Sequence, residues 1–263
     1  LRVNKTFKNG MHVWGNFSMT HAKNKVLEYD DPQLKESYRK VQGFAIGQDH
    51  IIYDAGYANT WDDVIAMTPH NTNDNQRLPG QPIMVDYNGD GIIDSADSAP
   101  YGYSGTPQNT FNATLGWDWK GWSVYLQFYG VTNVNRTVVF ESYRGKLNTL
   151  FAGVDFWAPN ADNVDRPLPV WNSTPAYYNG GDNRYNHYDG SYVRLKNAEI
   201  AYTWPSNSWI KSLGLSSLKI YLNGNNLWVW SKMPDDRESN FAGTGNASQG
   251  AYPTVRRFNI GIK

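Results

Sequence analysis

Six positions in one twelve-residue stretch carry oxygen ligands at the spacing a hard cation prefers. In DYNGDGIIDSAD, residues 86–97, Asp86, Asn88, Asp90, the Ile92 carbonyl, Asp94 and Asp97 stand at positions 1, 3, 5, 7, 9 and 12. Gly91 stands at position 6, where a glycine permits the sharp turn that gathers the ligands. Four carboxylates converging without a cation would repel one another, so the spacing predicts a structural Ca²⁺ site. Asp97 replaces the usual bidentate glutamate, which predicts a shorter reach or a single ligating oxygen. The competing reading is a solvated turn, because Asp, Asn and Gly favour turns for their own reasons.

A second group of residues suits contact with a ligand or partner. The long segment 133–190 carries Phe156, Trp157, Trp171, Tyr177, Tyr178, Tyr185 and Tyr188. Flat rings of this kind stack on sugar faces or line a peptide groove; packing within the loop, or against a partner protein, is the plainer expectation. Inward-facing Tyr125, Gln127, Arg194 and Lys196 are candidates for a polar lumen. Catalysis finds no support. The five histidines lack metal-ligand spacing, and Ser208-Trp-Ile-Lys211 matches S-x-x-K without its companion motifs. The chain has no cysteine, hence neither disulfides nor thiolate metal sites. Lys plus Arg and Asp plus Glu both number 24, so no net field points to nucleic acid or an anionic membrane surface.

The elements that must position these residues read as strands. In TFNATLGWDWKGWSVYLQFYG, residues 110–130, Phe111, Ala113, Leu115, Trp117 and Trp119 alternate with polar or small residues. After Lys120-Gly121 the alternation resumes through Trp122, Val124, Leu126 and Phe128. This is a hairpin with one apolar, aromatic face and one polar face. The same grammar recurs, giving strands near 1–7, 11–22, 109–119, 122–132, 191–204, 218–230 and 254–263, with a shift of phase near Gly224. Short links alternate with long ones at 23–108, 133–190 and 231–253. If the strands run up and down, the short links share one side and the long ones the other, as periplasmic turns and extracellular loops do in outer-membrane barrels. The expected fold class is therefore an all-β, antiparallel transmembrane β-barrel. A soluble, calcium-stabilised β-sandwich binding glycans is the alternative. Seven strands do not close a single-chain bacterial barrel, so the chain is expected to be the C-terminal part of one.

Six ordered stretches resemble the SusC/RagA family of TonB-linked outer-membrane transporters, known from Bacteroidetes. They are NFSMTHAKNKVLEYD (16–30), VDYNGDGIIDSAD (85–97), DFWAPNADNVDRPLP (155–169), YDGSYVRLKNAEIAYTWP (188–205), LKIYLNGNNLWVW (218–230) and YPTVRRFNIGI (252–262). The resemblance implies a 22-stranded barrel with a plug domain that lies outside residues 1–263, and import of a glycan or oligopeptide across the bacterial outer membrane. It also implies a SusD-like surface lipoprotein as partner, and TonB as the source of energy. One departure is Asp236-Arg237-Glu238, where the family usually carries an Asp-Pro-Glu-like triplet.

Overall fold

The computed structural model describes residues 1–71, 74, 77–137, 157–159, 187–205, 208–233 and 254–263. In chain order, β1 (Arg2–Thr6) and β2 (His12–His21) form a first hairpin. The outer segment that follows carries β3 (Gln48–Ile52), β4 (Asp54–Tyr57), the helix α1 (Trp61–Ala66), β5 (Pro82–Met84) and β6 (Ser98–Ser104). A second hairpin, β7 (Asn109–Trp119) and β8 (Trp122–Thr132), continues into a small ribbon of β9 (Asn135–Thr137) and β10 (His187–Asp189). Then come β11 (Tyr192–Trp204), a short helix α2 (Ser208–Ser212), β12 (Leu218–Ser231) and β13 (Arg257–Ile262).

Seven of these strands make one antiparallel sheet in the order β1-β2-β7-β8-β11-β12-β13, which is the expected set in the expected succession. The tight links have local causes. Lys120 and Gly121 both take positive φ, 48° and 87°, the pair a two-residue hairpin turn needs to match strand twist. At the first hairpin Gly10 has φ 79°, and the Asn9 side chain accepts a hydrogen bond from the Met11 N–H at 3.1 Å.

Period-two alternation sorts the sheet into two unlike faces. Trp117, Val124, Ile200, Leu222 and Ile260 align across five strands, and Leu115, Leu126 and Ala198 align in the next row. These residues are apolar yet open: Ile200 is 45% exposed, Leu222 46% and Ile260 80%. The opposite face presents Asn16, Thr114, Gln127, Asn197 and Asn225 in one row.

The shift of phase expected near Gly224 is a bulge. Between Leu195 and Asn197 the partner β12 advances from Trp228 to Asn225, three residues, while β8 moves only from Phe128 to Gln127. Asn226 absorbs the excess with φ 53°. An extra residue in one strand would otherwise turn every later side chain to the wrong face. Here β12 gains two residues over β8, an even number that keeps the phase, so Trp228 and Trp230 remain on the apolar face, 55% and 52% exposed.

The segment 23–108 is more than the plain loop its composition suggests. It has its own small core, with Ile51, Ala58 and Ala99 at 0% exposure and Ile93 at 1%. α1 begins at Thr60, whose hydroxyl accepts from the Asp63 N–H while the Asp63 carboxylate accepts from the Thr60 N–H. That reciprocal capping satisfies two orphan donors and turns Val64 inward against Ala58, Met67 and Ile83. At the top of the wall, Val131, Val134, Tyr192 and Met233 form a second buried cluster.

Candidate functional site: the two-faced wall and its outer loops

The polar face of the sheet is a hydrogen-bonded lattice. The Asn197 amide donates to Gln127 at 2.5 Å, and Asn225 donates to Asn197. One row toward the tight turns, Asn259 donates to Asn223 at 2.8 Å, and Lys219 pairs with Glu199 at 2.9 Å. His12 lies 3.4 Å from the Asp118 carboxylate and 3.0 Å from the Asn4 side-chain amide oxygen. A carboxamide holds two donors and two acceptor lone pairs. Each amide in the series uses part of that capacity across the sheet and turns the rest to the polar side. Lys196 sits at the bulge with its ammonium 5.8 Å from the centre of the Tyr129 ring. Arg194, on the same face, is 1% exposed.

Two aromatic residues pack on this face through glycine. A Cβ on Gly116 would lie 2.0–2.4 Å from three ring atoms of Trp14, so only glycine lets the indole lie on the β7 backbone, 6.1 Å from Tyr125. At the rim beside the tight links the other face carries an aromatic cluster. Trp122 and Tyr202 have ring centres 4.9 Å apart, and Tyr202 and Trp204 are 4.5 Å apart. Amphipathic rings at that height suit a membrane–water boundary.

The acidic stretch 86–97 folds as a compact loop of side chain–backbone bonds. One Asp86 oxygen accepts from the N–H groups of Gly89 (2.7 Å) and Asp90 (3.2 Å), and the other accepts from Gly91 (2.7 Å). Asn88 accepts from the Asp90 N–H and donates to the Asp90 carboxylate, both at 2.9 Å. Asp90 accepts from the Ile92 N–H at 2.9 Å, and Asp94 accepts from Ala96 at 2.6 Å. Asp97 is fully buried. Its two oxygens accept from Tyr87 and Asp94 at 2.8 Å each and from Asn88 at 3.3 Å. Asp97 thus clasps the two ends of the loop from within. Gly91 has φ 86°, the left-handed geometry that position 6 requires. The Ile92 side chain is 45% exposed. Among the described residues, no three His, Cys, Asp or Glu side chains are grouped so as to hold a metal ion.

Of the aromatic residues expected to meet a ligand or partner, Trp157 and Tyr188 are described; Phe156, Trp171, Tyr177, Tyr178 and Tyr185 lie outside the described residues. Trp157 is 7% exposed, and its indole N–H donates to Asn59 at 2.9 Å, which ties one long loop to the other. Tyr188 packs against the cluster of Val131, Val134 and Tyr192. Both make packing contacts within the chain.

Sequence reasoning missed one polar cluster. Asn135 and His187 meet Tyr101 where the outer segment rests on the β9–β10 ribbon, beside the irregular stretch of β6 that lies opposite Asp49 of β3. Tyr101 and Asn135 are 34 residues apart along the chain, and no motif joins them. The one local sign is Tyr101-Gly102-Tyr103, a glycine interrupting a strand, which often marks a bulge.

No protein-family model matches the chain. It is 31% identical over 196 residues to TonB-dependent receptor P3 of Formosa agariphila, which covers 70% of this chain and 19% of the relative. It is 31% identical over 195 residues to TonB-dependent receptor P26 of the same organism, covering 67% and 19%. The chain therefore spans about a fifth of the length of these curated relatives. Among solved structures, the RagAB peptide transporter aligns with a TM-score of 0.65 at 16% identity, over 99% of this chain and 28% of that one. The RagAB peptide importer in its "open-open" state aligns with a TM-score of 0.63 at 16% identity, over 99% and 27%. The relatives are named as receptors and importers rather than enzymes. The sandwich alternative needs a second sheet over the apolar face; among the described residues every other sheet has two strands, and that face is open. By sequence the chain is similar to TonB-dependent receptors, and by fold it is similar to the RagAB importer.

Proposed function

We propose that these residues form part of the barrel wall of a TonB-dependent importer in the bacterial outer membrane. The observation that carries the reading is the inverted sheet, with aligned rows of exposed Ile, Leu, Phe and Trp on one face and a carboxamide lattice on the other. The apolar face meets lipid, the polar face lines the lumen, and the outer segments 23–108 and 133–190 stand at the extracellular mouth. In that arrangement β1 and β13, the two edges of the sheet, pair with further strands of a 22-stranded closed barrel, and a plug domain from outside residues 1–263 occupies the lumen. The work done is capture and passage of a nutrient, a glycan or an oligopeptide, driven by TonB and assisted by a SusD-like surface lipoprotein; no covalent chemistry is required of the wall.

The test uses the cysteine-free background of these residues. Single cysteines at Thr114 and Asn225 should react with a membrane-impermeant, water-soluble maleimide in native outer membranes. Cysteines at Leu222 and Ile260 should resist it and instead meet a lipid-borne quencher. Equal aqueous labelling at all four sites, with the protein released without detergent, would return the reading to a soluble sandwich.

The loop at 86–97 is proposed as a structural Ca²⁺ site with Asp86, Asn88, Asp90, the Ile92 carbonyl, Asp94 and Asp97 as ligands. Supporting it are an all-oxygen donor set, which suits a hard cation, and the left-handed turn at Gly91. The backbone bonds described above occupy some lone pairs of each carboxylate and leave others for a cation. The expected outcome of chelation by EDTA is faster proteolysis within 86–97, with the wall unchanged. Proteolysis indifferent to EDTA would leave the loop a self-bonded turn.

A further inference from the structure

The three short links of the wall each carry a lysine and no carboxylate: Lys8 in 7–11, Lys120 in 120–121 and Lys211 in 205–217. They are held together along one rim. The Trp119 indole N–H donates to the Asn9 carbonyl at 3.3 Å, which ties the first link to the second. The Gly121 carbonyl accepts from the Thr203 N–H at 2.8 Å, which ties the second to the end of β11, where the third begins. Lys5 joins the same rim, since its register with Val13 and Trp117 puts it on the apolar side of β1. Lys120 takes φ 48° in a turn that Asn, Asp or Gly fills most easily, so backbone geometry alone would not select a long cationic side chain there.

Lys5, Lys8, Lys120 and Lys211 are exposed, and none enters an ion pair among the described residues. The carboxylates nearest this level, Asp118 and Glu199, stand on the polar face beside His12 and Lys219. The Lys5 ammonium lies 5.1 Å from the Phe7 ring centre, and that of Lys120 lies 4.7 Å from the Trp119 ring centre. Both ride on aromatic faces and keep N–H donors for an acceptor outside the protein. The third link adds apolar surface: Ile210 is sealed at 0% exposure, while Leu213 and Leu215 are 62% and 43% exposed. Exposed leucines beside a lysine and a girdle of rings suit a bilayer boundary, with side-chain carbon among acyl chains and cations among phosphates. The outer segment 23–108 has the opposite balance, 13 Asp and Glu to 6 Lys and Arg, so an anion meets no comparable surface there.

We propose that this rim binds acidic phospholipid headgroups of the inner leaflet, with Lys5, Lys8, Lys120 and Lys211 at the phosphates and Leu213 and Leu215 among the acyl chains. This binding rests on the barrel reading above, in which the tight links face the periplasm. A lipid-facing wall alone asks for hydrocarbon and is indifferent to headgroup charge. Phosphatidylglycerol carries a net negative charge, whereas the ammonium of phosphatidylethanolamine cancels its own phosphate. Ammonium groups held at the headgroup level therefore enrich the first over the second, by about five-fold for each lysine in full contact. The exposed leucines lie next along the chain to Leu218 and Ile220 of the apolar face, so lipid, which meets that face, is favoured over a periplasmic protein as the occupant.

The test uses the intact protein in vesicles of phosphatidylethanolamine with added phosphatidylglycerol, bromine being placed on the chains of one lipid or the other. A bimane label is attached through Leu213→Cys at the rim or through Met19→Cys, toward the other end of the apolar face. At equal amounts of brominated lipid, the rim label should be quenched several-fold more by phosphatidylglycerol, and the Met19→Cys label equally by both. The triple variant Lys8→Gln, Lys120→Gln, Lys211→Gln should lose the preference, and the corresponding triple Arg variant should keep it. Equal quenching at the rim, or a preference retained in the Gln variant, overturns the proposal and leaves the barrel reading standing. Absence of quenching at both positions overturns both. Should the Gln variant fail to insert, the preference with all lysines present must shrink several-fold in about 1 M salt, where the screening length is about 3 Å; a preference indifferent to salt overturns the proposal equally.

Discussion

The wall and the outer segment are built on opposite uses of the same residues. In the wall, Ile and Leu point away from the polypeptide: Ile260 is 80% exposed and Ile262 71%. In the outer segment Ile51 and Ile93 are sealed inside at 0% and 1%. Water cannot be the solvent for both arrangements, because soluble chains seldom expose apolar rows that continue across five strands. In the proposed barrel the wall hands its hydrophobic burial to the bilayer and keeps its hydrogen bonds for itself, whereas the outer segment folds as a small water-soluble protein does. Each region is therefore sensitive to a different kind of damage.

The largest effect should come from a charge on the apolar face. Ile200→Arg, aligned with Val124 and Leu222 in the middle rows, is expected to lose about 2–4 kcal/mol of folding free energy in a bilayer. Thr114→Arg on the polar face should lose less than about 1 kcal/mol, since its side chain enters a wet lattice. Urea unfolding into lipid vesicles measures both. Equal losses would dissolve the distinction between the faces.

Next in size is the junction between the regions. Gly102→Ala places a Cβ against Asn135 and holds a non-glycine residue at φ 51°. A cost of about 1–3 kcal/mol is expected, confined to the docking of the outer segment. Trp157→Phe keeps the aromatic bulk and leaves the Asn59 oxygen without its indole donor, for about 1 kcal/mol. Both should raise exchange in the outer segment and leave the melting of the wall unchanged; loss of the wall in either case would mean that the two regions unfold as one.

The wall was nearly all legible in advance because its determinants are local. Alternation fixes the faces, and Lys120-Gly121 and Asn9-Gly10 fix the turns, so seven strands emerge within a few residues of their observed ends. β13 begins at Arg257 rather than at 254, a difference of end fraying. The outer segment was less legible. Ile51, Ala58 and Ala99 are too scattered for any period, and the pairing of β3 with β6 spans about fifty residues of intervening chain. The acidic spacing at 86–97 was visible, but its closure by a buried Asp97 was not, because a ligand-like aspartate and a backbone-clasping one look alike in sequence.

The smallest effect sharpens the contrast inside the outer segment itself. The Asp31 side chain is 4% exposed. Burial alone would raise its carboxyl, but the N–H groups of Gln42 and Val41, at 2.9 Å each, and Lys35 at 3.5 Å outweigh it and hold the group below its usual range. A lowered value gives stability that is complete above the ordinary aspartate range and disappears as pH falls through the lowered value. Asp49 has the opposite sign, because burial pushes its carboxyl up. On acidification from neutral pH, protection at Gln48–Ile52 should therefore rise first, and protection of Val41 and Gln42 should fall only at still lower pH. Asp31→Asn should remove the second change and spare the first. Were both sites to loosen together on the same acid limb, the outer segment would be titrating as a single body, and the two carboxylates would not be the groups in control.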